Sequence, residues 1–127
     1  VPGCVYLAMG GMHMNVSMSK GGKYTIHYTD EPAREGVKPC ANYMYESLQN
    51  SKFDEVVCVV MTGMGADGTA GIKSLKSNKK VHVIAQDQET SIVYGMPKVA
   101  HELGGVQKQV SLSNMAAEIN SIVLANQ

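Results

Sequence analysis

The sequence predicts an α/β domain of three α/β/α layers, with a mainly parallel sheet and an added antiparallel β-hairpin, and three observations carry this. Short apolar runs alternate with stretches of helical periodicity, the order that builds a sheet with helices on both faces. One run, residues 56–61, is continuous and rich in β-branched side chains, the mark of a strand covered on both sides. Met14, Val16 and Met18, and then Tyr24, Ile26 and Tyr28, alternate with polar residues on either side of Gly21 and Gly22, as a hairpin with one buried face does.

Taken in order, residues 4–8 are apolar, include valine and tyrosine, and close on Gly10 and Gly11, which predicts a buried strand running into a tight turn. Strand-like sequence thus begins almost at once after a first residue that is not methionine, and the expectation is a chain that starts inside a fold, an incomplete doubly wound domain. The hairpin follows. Residues 30–39 hold two prolines, a glycine and most of the local charge, and read as a surface loop. Ala41, Met44, Tyr45 and Leu48 fall at helical spacing over residues 41–49.

The apolar strand 56–61 leads into Thr62-Gly63-Met64-Gly65-Ala66-Asp67-Gly68, and then into a helix over 69–77 whose Ile72 and Leu75 face inward. Residues 81–85 form the next strand. A helix over 97–103 starts with Pro97 in its first turn and ends at Gly104 and Gly105, and residues 106–112 supply a last short strand. Ser113 is placed to cap a final helix in which Met115, Ile119, Ile122 and Val123 share a stripe.

Composition narrows the function. A chain of 127 residues is the size of one domain, or most of one. Eleven basic side chains balance eleven acidic ones, so no net field would hold the protein on nucleic acid or an anionic bilayer. The longest apolar run is far short of the roughly 20 residues that span a membrane. Cys4, Cys40 and Cys58 are odd in number and widely spaced, which argues against a zinc site and for reduced thiols in a cytoplasmic protein. Cys58, inside the apolar run, reads as a small core residue.

In open α/β sheets the working surface lies beyond the carboxyl ends of the strands, which directs attention to the turn 62–68. Its three glycines let the backbone aim amide groups at a ligand. Asp67 has two readings from pattern alone: a cap for the helix that follows it, or a carboxylate that orients a histidine while the Met64 amide stabilises an oxyanion. A phosphate site is a third use of such a turn, but the Gly-x-x-x-x-Gly-Lys-Ser/Thr arrangement is absent and Lys73 comes too late.

Four blocks in order, residues 62–68, then Ala85-Gln86-Asp87, then Val93-Tyr94-Gly95-Met96-Pro97, then Gly104-Gly105-Val106, closely resemble the catalytic domain of the chemotaxis protein-glutamate methylesterases (CheB-type). The opening Val5-Tyr6-Leu7-Ala8 with Gly10, Gly11 and His13 looks like that family's central strand and the turn after it, so the resemblance runs over residues 1–127 as the C-terminal part of such a domain.

The resemblance implies a serine hydrolase of two-component signalling that demethylates methylglutamate side chains of chemoreceptors through a Ser-His-Asp triad, without metal or organic cofactor. It implies Asp67 as the triad acid, the Met64 amide as an oxyanion-hole donor, and Gly63, Gly65, Gly95, Met96 and Pro97 as residues lining or supporting the cleft. It also implies that the serine and histidine lie upstream of Val1. No Gly-x-Ser-x-Gly elbow occurs in this chain; His27 and His101 read as solvated, His82 as a strand residue, and His13 alone sits near a cleft position. This chain by itself is therefore expected to be inactive. Met9 and Asn42 stand where the family commonly has proline and aspartate, which keeps open a non-catalytic interaction module binding receptor or signalling partners. An upstream response-regulator domain and a homodimer through an exposed sheet edge are further expectations.

Overall fold

The computed structural model describes residues 1–125. The first two strands, β1 (His13–Met18) and β2 (Tyr24–Thr29), form the antiparallel hairpin in a register that sets Val16 against Ile26 and Met18 against Tyr24. The Val16 amide donates to the Ser47 hydroxyl at 2.9 Å, which ties the hairpin to the first helix, α1 (Ala41–Ser47). The loop between them is anchored as well: Arg34 reaches Glu46 of α1 with two bonds of 2.6 and 2.8 Å and lies 5.0 Å over the Tyr43 ring.

The main sheet is parallel, in the order β3 (Glu55–Val60), β4 (Lys80–Gln86), β5 (Lys108–Val110). Helices α2 (Thr69–Lys76) and α3 (Met96–Leu103) provide the crossovers, and α4 (Met115–Ala125) closes the described chain. Side chains alternate across the sheet, so it has two cores. On one face Cys58, Val60, Val81 and Val83 pack with Tyr45 of α1, Ile72 and Leu75 of α2 and Ala100 of α3. On the other, Ile84 and Val110 meet Met115, with Ile119, Ile122, Val57 and Val59 packed against them. The predicted layers, parallel sheet and hairpin are thus present.

Burying side chains such as Ile72, Leu75 and Val83, each fully covered, contributes about 1.5 to 3 kcal/mol apiece before entropy is set against it. The crossing of α1 over α2 is close enough to demand a glycine: a Cβ on Gly71 would lie 2.8 Å from Tyr45 Cβ and 2.9 Å from the Asn42 carbonyl oxygen. A residue that weakens a helix in isolation here permits the contact that seats it.

Four local expectations need correction. Residues 4–8 form no strand, and Val5 and Leu7 are 89% and 86% exposed, because among the described residues no strand lies beside them to complete a ladder. The first helix stops at Ser47 rather than residue 49, since the amides of Leu48 and Gln49 turn back to the carbonyls of Tyr45 and Glu46. The last strand covers only Lys108–Val110, the stretch that finds partners along β4. Among the described residues Ser113 caps no helix: it sits within a short 3-10 turn, Leu112–Asn114, with its hydroxyl 3.2 Å from that of Ser111.

Candidate active site

Beyond the carboxyl end of β3 the glycine turn is braced from the neighbouring strand. Gln86, the last residue of β4 and 1% exposed, accepts a hydrogen bond from the Thr62 amide at 2.8 Å and donates to the Thr90 carbonyl at 2.9 Å. A lone polar side chain at the end of an apolar strand thereby ties the loop after β3 to the loop after β4. Thr62 adds a second tie, its hydroxyl donating to the Val93 carbonyl and accepting from the Val93 amide.

The segment before α3 then runs alongside the turn. The Gly63 amide donates to the Val93 carbonyl, and the Gly63 carbonyl accepts from the amides of Gly95 and Met96 at 3.0 and 2.8 Å. Contact is tight at Gly95, where a Cβ would stand 2.7 Å from the Gly63 carbonyl oxygen and 3.1 Å from Met64 Cα. Met96 packs its sulfur against Gly63, and the buried Pro97 starts α3 without needing an amide partner. Gly65 takes φ +97°. The Met64 side chain is 82% exposed, and among the described residues its amide meets no acceptor. An unpaired amide on a turn held from two sides is a donor available to an anion.

Asp67 is 5% exposed and does not cap the helix that follows it; the residue at that N-cap is Gly68, with no side-chain cap of its own. The carboxylate instead closes the other helix, α1. Its Oδ2 accepts from the Ala41 amide at 2.7 Å, and its Oδ1 accepts from the Asn42 amide and the Cys40 thiol, both at 3.0 Å. Asn42 returns the service, its Oδ1 accepting from the amides of Gly68 and Gly71 at 3.0 and 2.8 Å. The two helices thus exchange caps, each supplying the side chain that satisfies the other's orphan amides. Asp67 also lines a cavity of about 220 Å³ with Ala8, Met14, Pro39, Cys40, Ala41 and Met44.

The histidines divide clearly. His13 is fully buried, with Nδ1 accepting from the Cys40 amide at 3.1 Å and Nε2 3.0 Å from the Pro32 carbonyl, so Nε2 carries the proton and donates. The position near a cleft expected for it is not what the fold provides; both ring nitrogens are committed to backbone. His82 pairs with Glu55 at 2.7 Å, and His27 and His101 are exposed. Neither buried cysteine is a ready nucleophile. Burial, with the Asp67 carboxylate adding to it, pushes the Cys40 thiol up to about 11, and burial pushes that of Cys58 up to about 12.

The pattern of residues alone did not assign roles to Cys40, Asn42 and Gln86. The signal that could single out Gln86 is a polar residue directly after the apolar run 81–85, and for Cys40 its place just before the helical spacing that begins at Ala41. Nothing local signalled that Asn42 and Asp67 would meet across 25 residues of chain.

A parallel sheet whose first strand ends in a braced glycine turn, with an open amide and a buried carboxylate behind it, defines an α/β protein with a candidate site at the carboxyl ends of its strands. The family model described as CheB methylesterase matches residues 1–119, and the chain belongs to that family. It is 39% identical over 121 residues to a protein-glutamate methylesterase/protein-glutamine glutaminase of Geobacillus kaustophilus, and 40% identical over 122 residues to the protein of that name from Bacillus subtilis. Both comparisons cover 95% of this chain and 34% of the relative, so the chain spans about a third of the length of these curated relatives. The crystal structure of the Thermotoga maritima CheB methylesterase catalytic domain matches with a TM-score of 0.84 at 26% identity, covering 92% of this chain and 61% of that one. Among the described residues no helix is long and apolar enough to cross a membrane.

Proposed function

We propose that this chain contributes the acid and oxyanion-hole side of a protein-glutamate methylesterase active site, acting on methylated glutamates of chemoreceptors in the cytoplasm. The observation that carries the proposal is the carboxylate of Asp67: buried, fixed by three donors, lining a cavity, and placed just after a turn whose Met64 amide is unpaired among the described residues. A fixed carboxylate of this kind orients an imidazole and stabilises it as imidazolium, while the amide stabilises the oxyanion of the tetrahedral intermediate. The serine that attacks the methyl ester and the histidine that takes its proton belong to a part of the domain outside this chain. Hydrolysis then yields the glutamate carboxylate and methanol. The outer edge of β3, which has no strand beside it among the described residues, is where the sheet would be continued by that part.

The test compares this chain with a domain completed by the serine- and histidine-bearing part, using a fluorophosphonate probe and methanol release from methylated receptor. The chain alone should stay unlabelled, whereas the completed domain should be labelled and should release methanol. Asp67→Asn in the completed domain should lower turnover by roughly 10⁴-fold, since the imidazole would adopt the wrong tautomer. Labelling of the chain alone would reveal a nucleophile within it. A completed domain that binds receptor without releasing methanol would mark an interaction module instead.

A further inference from the structure

The Asp67 carboxylate is held by more than a helix end. Two of its three donors are successive amides of α1, one to each carboxylate oxygen, Ala41 to Oδ2 and Asn42 to Oδ1. The third is the Cys40 thiol, which donates to Oδ1 at 3.0 Å from a residue 1% exposed. Cys40 is itself fixed. It takes an extended backbone conformation at the N-cap of α1, φ −116° and ψ 126°, and its amide donates to Nδ1 of the buried His13, whose Nε2 donates to the Pro32 carbonyl. A continuous hydrogen-bonded chain therefore runs from the 30–39 loop through His13 and Cys40 to the carboxylate.

We propose that Cys40 is a positioning residue for Asp67, its thiol, backed by His13, sharing Oδ1 with the Asn42 amide and reinforcing the fork of the two α1 amides, so that the carboxylate is held in the orientation in which it receives a histidine. The inference rests on the reading of Asp67 as the acid of the triad. A thiol suits the task because it stays protonated: pushed up to about 11, it presents a neutral donor to Asp67 and adds no second negative charge. An apolar residue of the same size would fill the space but would leave Oδ1 one donor short in a buried site.

The test is made in the completed domain, with steady-state methanol release from methylated receptor. Cys40→Ala should lower kcat by about 5- to 10-fold with KM within twofold, the pattern of a lost transition-state interaction. Cys40→Ser, which restores a hydroxyl donor of similar reach, should return kcat to at least about half of the original. In an Asp67→Asn background Cys40→Ala should cause no further loss, because residues acting through one group are not additive. Unchanged kcat in Cys40→Ala would overturn the proposal, as would a loss that serine fails to rescue and that follows a fall in thermal midpoint. If Asp67→Asn itself leaves turnover intact, the reading of Asp67 fails first. If Asp67→Asn abolishes turnover and Cys40→Ala does not lower it, the positioning role alone fails.

Discussion

Replacing Asp67 by asparagine should destabilise the protein as well as disable it. Oδ1 accepts two bonds, from the Cys40 thiol and the Asn42 amide, and Oδ2 accepts one, from the Ala41 amide at 2.7 Å. An asparagine can keep its single oxygen where Oδ1 stood and retain two of these. Its NH₂ must then face the Ala41 N–H, donor against donor, in a site only 5% exposed. The cost combines a lost charge-assisted hydrogen bond with the lost interaction between a negative charge and the N-terminal end of α1. Together these amount to about 2 to 3 kcal/mol. At about 4 °C per kcal/mol for a domain of this size, the thermal midpoint should fall by roughly 8 to 12 °C. Equilibrium urea unfolding followed by far-UV circular dichroism measures the first quantity, with the slope against urea expected to stay the same. A change below about 0.5 kcal/mol, the range of an ordinary surface substitution, would refute the crossed-cap geometry. It also follows that any turnover measured for this variant must be taken well below its midpoint, so that unfolding does not pass for lost chemistry.

Two further outcomes concern the core. Gly71→Ala should cost about 1 to 3 kcal/mol in the same unfolding assay, because its Cβ meets the Asn42 backbone, which cannot swing aside as a side chain could; a gain, as expected of glycine to alanine in an open helix, would mean that α1 and α2 are not in contact there. Stability should also fall in alkali. Both buried thiols titrate higher folded, at about 11 and about 12, than their ordinary 9.0, so above pH 9 the unfolded chain sheds protons first and favours unfolding. Each thiol contributes a loss of about 1.4 kcal/mol per pH unit, beginning near pH 9 and ending near its folded value. Cys58→Ala should remove its share of that slope, and a slope unchanged by the substitution would assign the alkaline loss to other groups.

What could be read from the residues follows from how far apart the causes lie. The run 56–61 declares itself as a covered strand because every side chain along it is apolar or small, a property of that run alone, and the strand forms one residue earlier, over Glu55–Val60. The hairpin is legible for the same reason, its alternation being local. Residues 4–8 carry a comparable pattern and are not a strand, because a strand exists only where a neighbour accepts its hydrogen bonds. The site divides in the same way. The glycine turn and the closing role of Gly95 beside it sit within ordered blocks. Asp67 was recognisable as a capping group, but the helix it caps starts 26 residues earlier, at Ala41, and no window on the sequence contains both. His13 looked available because it follows a glycine turn; the Pro32 carbonyl that occupies Nε2 arrives from 19 residues away.

The loop over residues 30–39 has the composition of a dispensable connection, yet its two ends differ from its tip. Pro32 supplies the carbonyl that His13 needs, Arg34 locks onto Glu46, and the Lys38 carbonyl accepts from the Gly11 amide. Between Arg34 and Val37, which bond to each other, Glu35 and Gly36 project with both residues exposed. For anyone inserting a tag, a linker or a protease site, the tolerant address is therefore the two-residue tip, and a graft one or two positions to either side would loosen the scaffold behind Asp67.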